Sequence, residues 1–214
     1  MFCCSRTGTR RDLNSENLRR SGLNLTASAM HATMFLALTF LLAGIVQTIW
    51  LQSRLARAFA VPIDGGLHFR GRRLFGDNKT YRGFVVMVPA SGLSFLVVSM
   101  LWHAIAEIPW SLNISECFLV GCLGGFGFMA GELPNSFLKR QLDIPAGSAA
   151  SNRLLKPSFF VLDQVDSTLG GLLAVGMVID IPSIVWLWLV LLGGTLHLAV
   201  NALLFQLNLR DRFA

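Results

Sequence analysis

Charge is scarce in this chain. Only 14% of its 214 residues are Asp, Glu, Lys or Arg, against roughly 25% in soluble domains, which excludes an ordinary water-soluble domain. Cysteine is equally sparse: Cys3, Cys4, Cys117 and Cys122 form no CxxC pair and no Cys/His metal spacing, which excludes a zinc ribbon or a disulfide framework. Cys117 and Cys122 fall in an apolar stretch and read as small packing residues. No apolar run of signal-peptide type precedes residue 34, so a secretory signal is not expected. GxSxG and HExxH are absent, and His31, His68, His103 and His197 show no ligand spacing. What is abundant is apolar: 53% hydrophobic residues and a mean hydropathy of +0.58. One all-α integral membrane domain is the simplest reading.

Five apolar stretches lie at about 34–50, 84–105, 117–130, 159–181 and 184–207. A spanning helix needs about 20 residues. The third is short, but it reaches that length if its helix continues through Glu132 to Arg140. Its glycines, Gly121, Gly124, Gly125 and Gly127, would let neighbours approach closely. The expected organisation is therefore a polar, disordered tail over 1–29 and a membrane domain over 30–214. The net charge of +6 does not point to nucleic acid, because the bases lie in loops between apolar stretches. Anionic headgroups or a phosphorylated substrate explain them better. Arg54, Arg57, Arg70, Arg72, Arg73, Lys79 and Arg82 occupy the first connection, and Lys139, Arg140, Arg153 and Lys156 the third. The second and fourth connections carry neither Lys nor Arg, so the basic loops are expected on the cytoplasmic side. Arg6, Arg10, Arg11, Arg19 and Arg20 in the tail pull the other way; a start at Met30 or Met34 would remove that conflict.

Two polar clusters interrupt this pattern. In Gly131-Glu132-Leu133-Pro134-Asn135-Ser136-Phe137-Leu138-Lys139-Arg140, the residues Glu132, Ser136, Lys139 and Arg140 fall at i, i+4, i+7 and i+8, one face of a helix. In Val161-Leu162-Asp163-Gln164-Val165-Asp166-Ser167, Asp163 and Asp166 share a face at i and i+3. Acids at membrane depth mark ion or substrate sites. Two carboxylates so close repel unless a cation joins them, and hard oxygen ligands select Mg²⁺ or Mn²⁺; Glu132 could complete that shell. The blander alternatives are helix-end bases that snorkel and acids that cap a helix dipole. A third segment, Leu74-Phe75-Gly76-Asp77-Asn78-Lys79-Thr80-Tyr81-Arg82-Gly83, follows Pro62-Ile63-Asp64-Gly65-Gly66. Turn signals here can aim backbone N–H groups at an anion beside Lys79 and Arg82. Lys79-Thr80 lacks the spacing of a P-loop. Acids for a divalent metal beside bases for phosphates are the equipment of phosphoryl-type transfer at a membrane surface.

In this order and spacing the segments resemble the CTP-dependent lipid cytidylyltransferases, nearest to the CDP-archaeol synthases within the wider phosphatidate cytidylyltransferase group, over roughly residue 35 to the C-terminus. The resemblance implies a five-helix membrane enzyme with a cytoplasm-facing polar cavity, CTP and a lipid phosphate as substrates, Mg²⁺ as cofactor and pyrophosphate as product. It implies catalytic roles for Lys79, Arg82, Ser136, Lys139 and Arg140, phosphate contacts from these and from Asp77, Asn78, Thr80 and Asn135, and metal binding by Glu132, Asp163 and Asp166. A homodimer is left open. The chain departs from the family in carrying Glu132 where Asp is usual, and in lacking a Pro-Gly-His-Gly-Gly stretch before the second acid cluster. The competing class is a small transporter or ion-coupled carrier that uses the same acids; no convincing internal repeat supports it.

Overall fold

The computed structural model describes residues 10–106, 110–148 and 152–206. Five helices follow one another: α1 Arg10–Gln52, α2 Tyr81–Trp102, α3 Ile114–Gln141, α4 Leu155–Gly176 and α5 Ser183–Gln206. Among the described residues, four segments are long and apolar enough to cross a membrane: Thr26–Gln52 within α1, α2, α3 and α4. In α5 the described apolar stretch is Ser183–Leu196. The expected third span does continue through the polar cluster, and Pro134 lies inside an unbroken α3. Where a disordered tail was expected over 1–29, α1 instead begins at Arg10; residues 1–9 lie outside the described residues. The polar residues before 26 carry no apolar periodicity from which a helix could be read.

Between α1 and α2 the chain makes a one-turn 3-10 helix, Leu55–Phe59, and a small hairpin, β1 His68–Phe69 with β2 Arg72–Arg73. The strands pair antiparallel with Phe69 opposite Arg72. The two residues of the turn, Arg70 and Gly71, both have positive φ (53° and 78°), the twist a two-residue hairpin loop requires. The hairpin was not expected, because two-residue strands leave no alternation to read. α3 opens on a reciprocal cap: the Glu116 N–H donates to Asn113 Oδ1 (2.9 Å) and the Asn113 N–H to Glu116 Oε2 (2.8 Å), as the Asn-x-x-Glu spacing favours.

Backbone contact between α3 and α4 positions the site. A Cβ on Gly131 would lie 2.5 Å from the Asp166 carbonyl oxygen, and one on Gly170 would lie 2.3 Å from that of Gly127. No side chain fits there, so the two helices touch one turn below the acids, as small residues allow in membranes. At the opposite end of the bundle Phe35, Phe95, Trp102, Leu172 and Val185 form a buried apolar core.

Candidate active site

At the end of the bundle where α1 stops and α4 starts, the helices enclose an open cavity of about 1660 Å³. Part of its lining is apolar, from Phe40, Leu41 and Ile45 of α1, Phe128 of α3 and Leu189 and Leu192 of α5. Another part is polar. Glu132, Asn135, Ser136, Lys139 and Arg140 of α3 face Asp163, Asp166 and Ser167 of α4, with Asn78, Lys79, Thr80 and Arg82 beside them.

These side chains form one continuous chain of bonds. Lys139 Nζ donates to both oxygens of Asp163 (2.5 Å each). Asn135 Nδ2 donates to Asp163 Oδ1 and to Asp166 Oδ2, 2.7 Å each. Ser167 Oγ meets Asp166 Oδ1 (3.3 Å) and donates to Glu132 Oε1 (2.7 Å). Glu132 Oε2 ends the chain in an ion pair with Lys79. The α3–α4 backbone contact makes this possible, since only helices that close let the short Asn135 and Ser167 bridge acids. Three carboxylates against two ammoniums leave the network one negative charge in excess. Arg82 and Arg140 stand beside it with no ion pair among the described residues, and Arg140 Nε is buried without a partner.

The face expected from i, i+4, i+7, i+8 spacing is there, and Asp163 and Asp166 do point into the same cavity. Asp77 does not: it is 76% exposed at the side chain and paired with Arg73 (2.9 Å). It lines a smaller groove outside, because the turn at Gly76 points it away from the bundle. Ser167 and Gln47 were not singled out from sequence. Gln47 lines the cavity from α1 with its Oε1 buried and unpartnered; a lone amide inside the apolar run 34–50 was the available signal.

The donors suit a hard divalent cation in kind: oxygen ligands, with two carboxylates drawn onto one amide whose own Oδ1 is buried without a partner. Glu132 is not gathered into that pair. Lys79 and Ser167 hold it, and among the described residues no group of three or more His, Cys, Asp or Glu is near enough to hold a metal.

A helical bundle with a charged network in a cavity with apolar lining defines an intramembrane enzyme for a lipid with a charged headgroup. The chain belongs to the CarS-like CDP-archaeol synthase family, whose model matches residues 28–213. It is 33% identical over 160 residues to the CDP-archaeol synthase of Methanoculleus marisnigri, covering 70% of this chain and 87% of that one. To the Archaeoglobus fulgidus CDP-archaeol synthase it is 32% identical over 186 residues, covering 78% and 96%. Its fold matches a solved intramembrane enzyme for archaeal membrane lipids biosynthesis with a TM-score of 0.57 at 23% identity, over 77% of this chain and 92% of that one.

Proposed function

We propose that the protein transfers a cytidylyl group from CTP to a lipid phosphate, phosphatidic acid or its ether-linked analogue, giving a CDP-lipid and pyrophosphate. The observation that carries this is the bonded network from Lys139 through Asp163, Asn135, Asp166, Ser167 and Glu132 to Lys79, in one cavity with apolar lining. An ion carrier would have no use for four cationic side chains around its acids. An oxygen of the lipid phosphate attacks the α-phosphorus of CTP, the bond from that phosphorus to the α,β-bridging oxygen breaks, and its electrons leave with pyrophosphate. No general base is needed, since the lipid phosphate is already an anion. The work is positioning and charge neutralisation.

Arg82 and Arg140 have no carboxylate partner among the described residues and serve the phosphates. Lys79 and Lys139 can turn from carboxylate to phosphate oxygen as the substrates enter. The Ser136 hydroxyl, the Asn78 amide and Thr80 line the same cavity and supply donors. Carboxylates standing beside incoming phosphate oxygens repel them locally, which is the physical case for a bound cation between the two. Asp163 and Asp166 would hold Mg²⁺ or Mn²⁺, with Glu132 reaching it once Lys79 turns away, and the ion would offset charge on the transferred group. The apolar part of the lining suits acyl or isoprenoid chains. The bases cluster at this end of the bundle, which supports a cavity open to the cytoplasm.

The test is turnover: purified protein with labelled CTP, Mg²⁺ and either phosphatidic acid or its ether-linked isoprenoid analogue. A labelled CDP-lipid is the expected product. Well-folded protein that yields none with either lipid, yet moves ions in proteoliposomes without CTP, would return the carrier reading.

A further inference from the structure

Asp64 is the most completely bonded acid outside the cavity. Its side chain is fully buried and accepts five hydrogen bonds: from Arg73 Nη2 (2.6 Å) and the Gly66 N–H (3.1 Å) on Oδ1, and from Arg73 Nε (3.3 Å), the Phe75 N–H (3.0 Å) and the Gly76 N–H (3.1 Å) on Oδ2. A carboxylate stripped of water is costly unless its lone pairs are filled, and here Arg73, Gly66 and the first two residues of one turn fill them. That turn, Phe75 to Lys79, closes with the Lys79 N–H on the Gly76 carbonyl (3.3 Å). It is then tied back to Asp64's own segment, where the Ile63 N–H donates to the Lys79 carbonyl (2.8 Å) and the Tyr81 N–H to that of Val61 (3.0 Å). The outer side of the turn packs on the loop after α3. A Cβ on Gly76, whose φ is +88°, would lie 3.3 Å from Ala146 Cβ and 3.5 Å from Arg140 Cδ. A Cβ on Gly147 would lie 3.0 Å from Asn78 Nδ2. The turn therefore sets three cavity groups at once: Asn78, Lys79 and the flank of Arg140.

We infer that Asp64 is a positioning residue for the nucleotide: it folds the Phe75–Lys79 turn against Arg140 so that Asn78, Lys79 and Arg140 receive the triphosphate rather than the lipid phosphate. The inference rests on the cytidylyl-transfer reading. The turn and the loop it packs on lie between membrane-spanning helices, at the aqueous end where a soluble triphosphate arrives, whereas a lipid's chains would lie along the apolar part of the cavity lining on the helices, at Phe40, Leu41 and Ile45. An amide at position 64 cannot replace the carboxylate, because its NH₂ would face donors on one side or the other.

The experiment compares wild type with Asp64→Asn and Gly76→Ala, the second leaving Asp64 intact in case the first fails to fold. CTP binding is measured by calorimetry with Mg²⁺, the KM for each substrate by turnover, and amide exchange across residues 75–79. The expected result is CTP binding about tenfold weaker in both variants, an unchanged KM for lipid, and faster exchange confined to the turn. Unchanged CTP affinity in a folded variant, or an equal rise in both KM values, overturns the inference. Wild type that binds CTP but makes no CDP-lipid would instead sink the functional reading alone, and wild type that binds no CTP would sink both.

Discussion

The two ends of this bundle follow opposite rules. At the far end Phe35 is fully buried, with the rings of Phe95, Trp110 and Trp102 edge-on at 4.9, 5.8 and 5.9 Å. Such packing fills space and needs no partner of opposite charge. At the site end the same helices, a few turns along, hold carboxylates, ammoniums and amides. There the buried atoms Gln47 Oε1, Asn135 Oδ1, Arg140 Nε and Gln164 Oε1 have no partner, and all four residues line the cavity. Ser91 Oγ, Gln141 Nε2 and, at the far end, Trp102 Nε1 are also buried without a partner, but four of these seven atoms among the described residues belong to residues that line one cavity. Buried polar atoms are normally satisfied, so that cluster marks where ligand atoms belong. The contrast teaches a division of labour: apolar packing at one end holds the helices firmly enough for the other end to stay electrostatically incomplete.

Substitutions can break that contrast from either side. The largest effect is expected from Asp163→Asn. It removes the charge that Lys139 and Asn135 converge on, and turnover should fall about a thousandfold, while the thermal midpoint in detergent changes little. Near-normal activity would remove Asp163 from the chemistry. The mirror experiment is Phe35→Ala, expected to cost about 3 kcal/mol of stability through lost ring packing, with turnover per folded molecule unchanged. A fall in turnover without a fall in stability would show that the two ends are not separable.

How much of this was legible in the sequence follows the same contrast. The helices were legible because uninterrupted apolar runs need no context, and the extension of α3 was legible because Glu132, Ser136, Lys139 and Arg140 repeat at helical spacing. The bridges were not. Asn135 between two acids and Ser167 between Asp166 and Glu132 exist only because α3 and α4 touch at Gly127, Gly131 and Gly170, which no single-helix pattern encodes. Asp77 was read into the site because it belongs to the Phe75–Gly83 segment that carries the family resemblance, yet the left-handed Gly76 sends it out to Arg73. Asp64 carried a turn signal and a place in the family resemblance but no role, since its partners lie 2, 9, 11 and 12 residues away in a loop with no periodicity.

Gly131→Ala sits on the boundary between the two regimes. Its methyl would meet the Asp166 carbonyl, so α4 must shift, and overpacking of this kind costs about 2 kcal/mol. Because the same shift parts Asn135 and Ser167 from their acids, turnover per folded molecule should drop as well, unlike in Phe35→Ala. Thermal melts paired with rates normalised to folded protein separate the two outcomes. Stability lost with activity intact would mean that the network tolerates helix displacement.

The smallest effect concerns pH. Burial alone would raise the Asp64 carboxyl, but Arg73 and the N–H groups of Phe75, Gly66 and Gly76 outweigh it and hold the carboxyl well below the ordinary carboxylate range. The unfolded chain therefore binds a proton that the folded chain refuses in the interval between the two values. Stability is fully present above the ordinary carboxylate pKa and is lost as pH falls through that interval towards the folded value. Melting between pH 6 and 3 should show this decline in wild type, and a shallower one in Asp64→Asn, which has no carboxyl to protonate. Parallel curves for the two proteins would mean that the acid sensitivity comes from the cavity carboxylates instead, and that the loop acid is electrostatically silent.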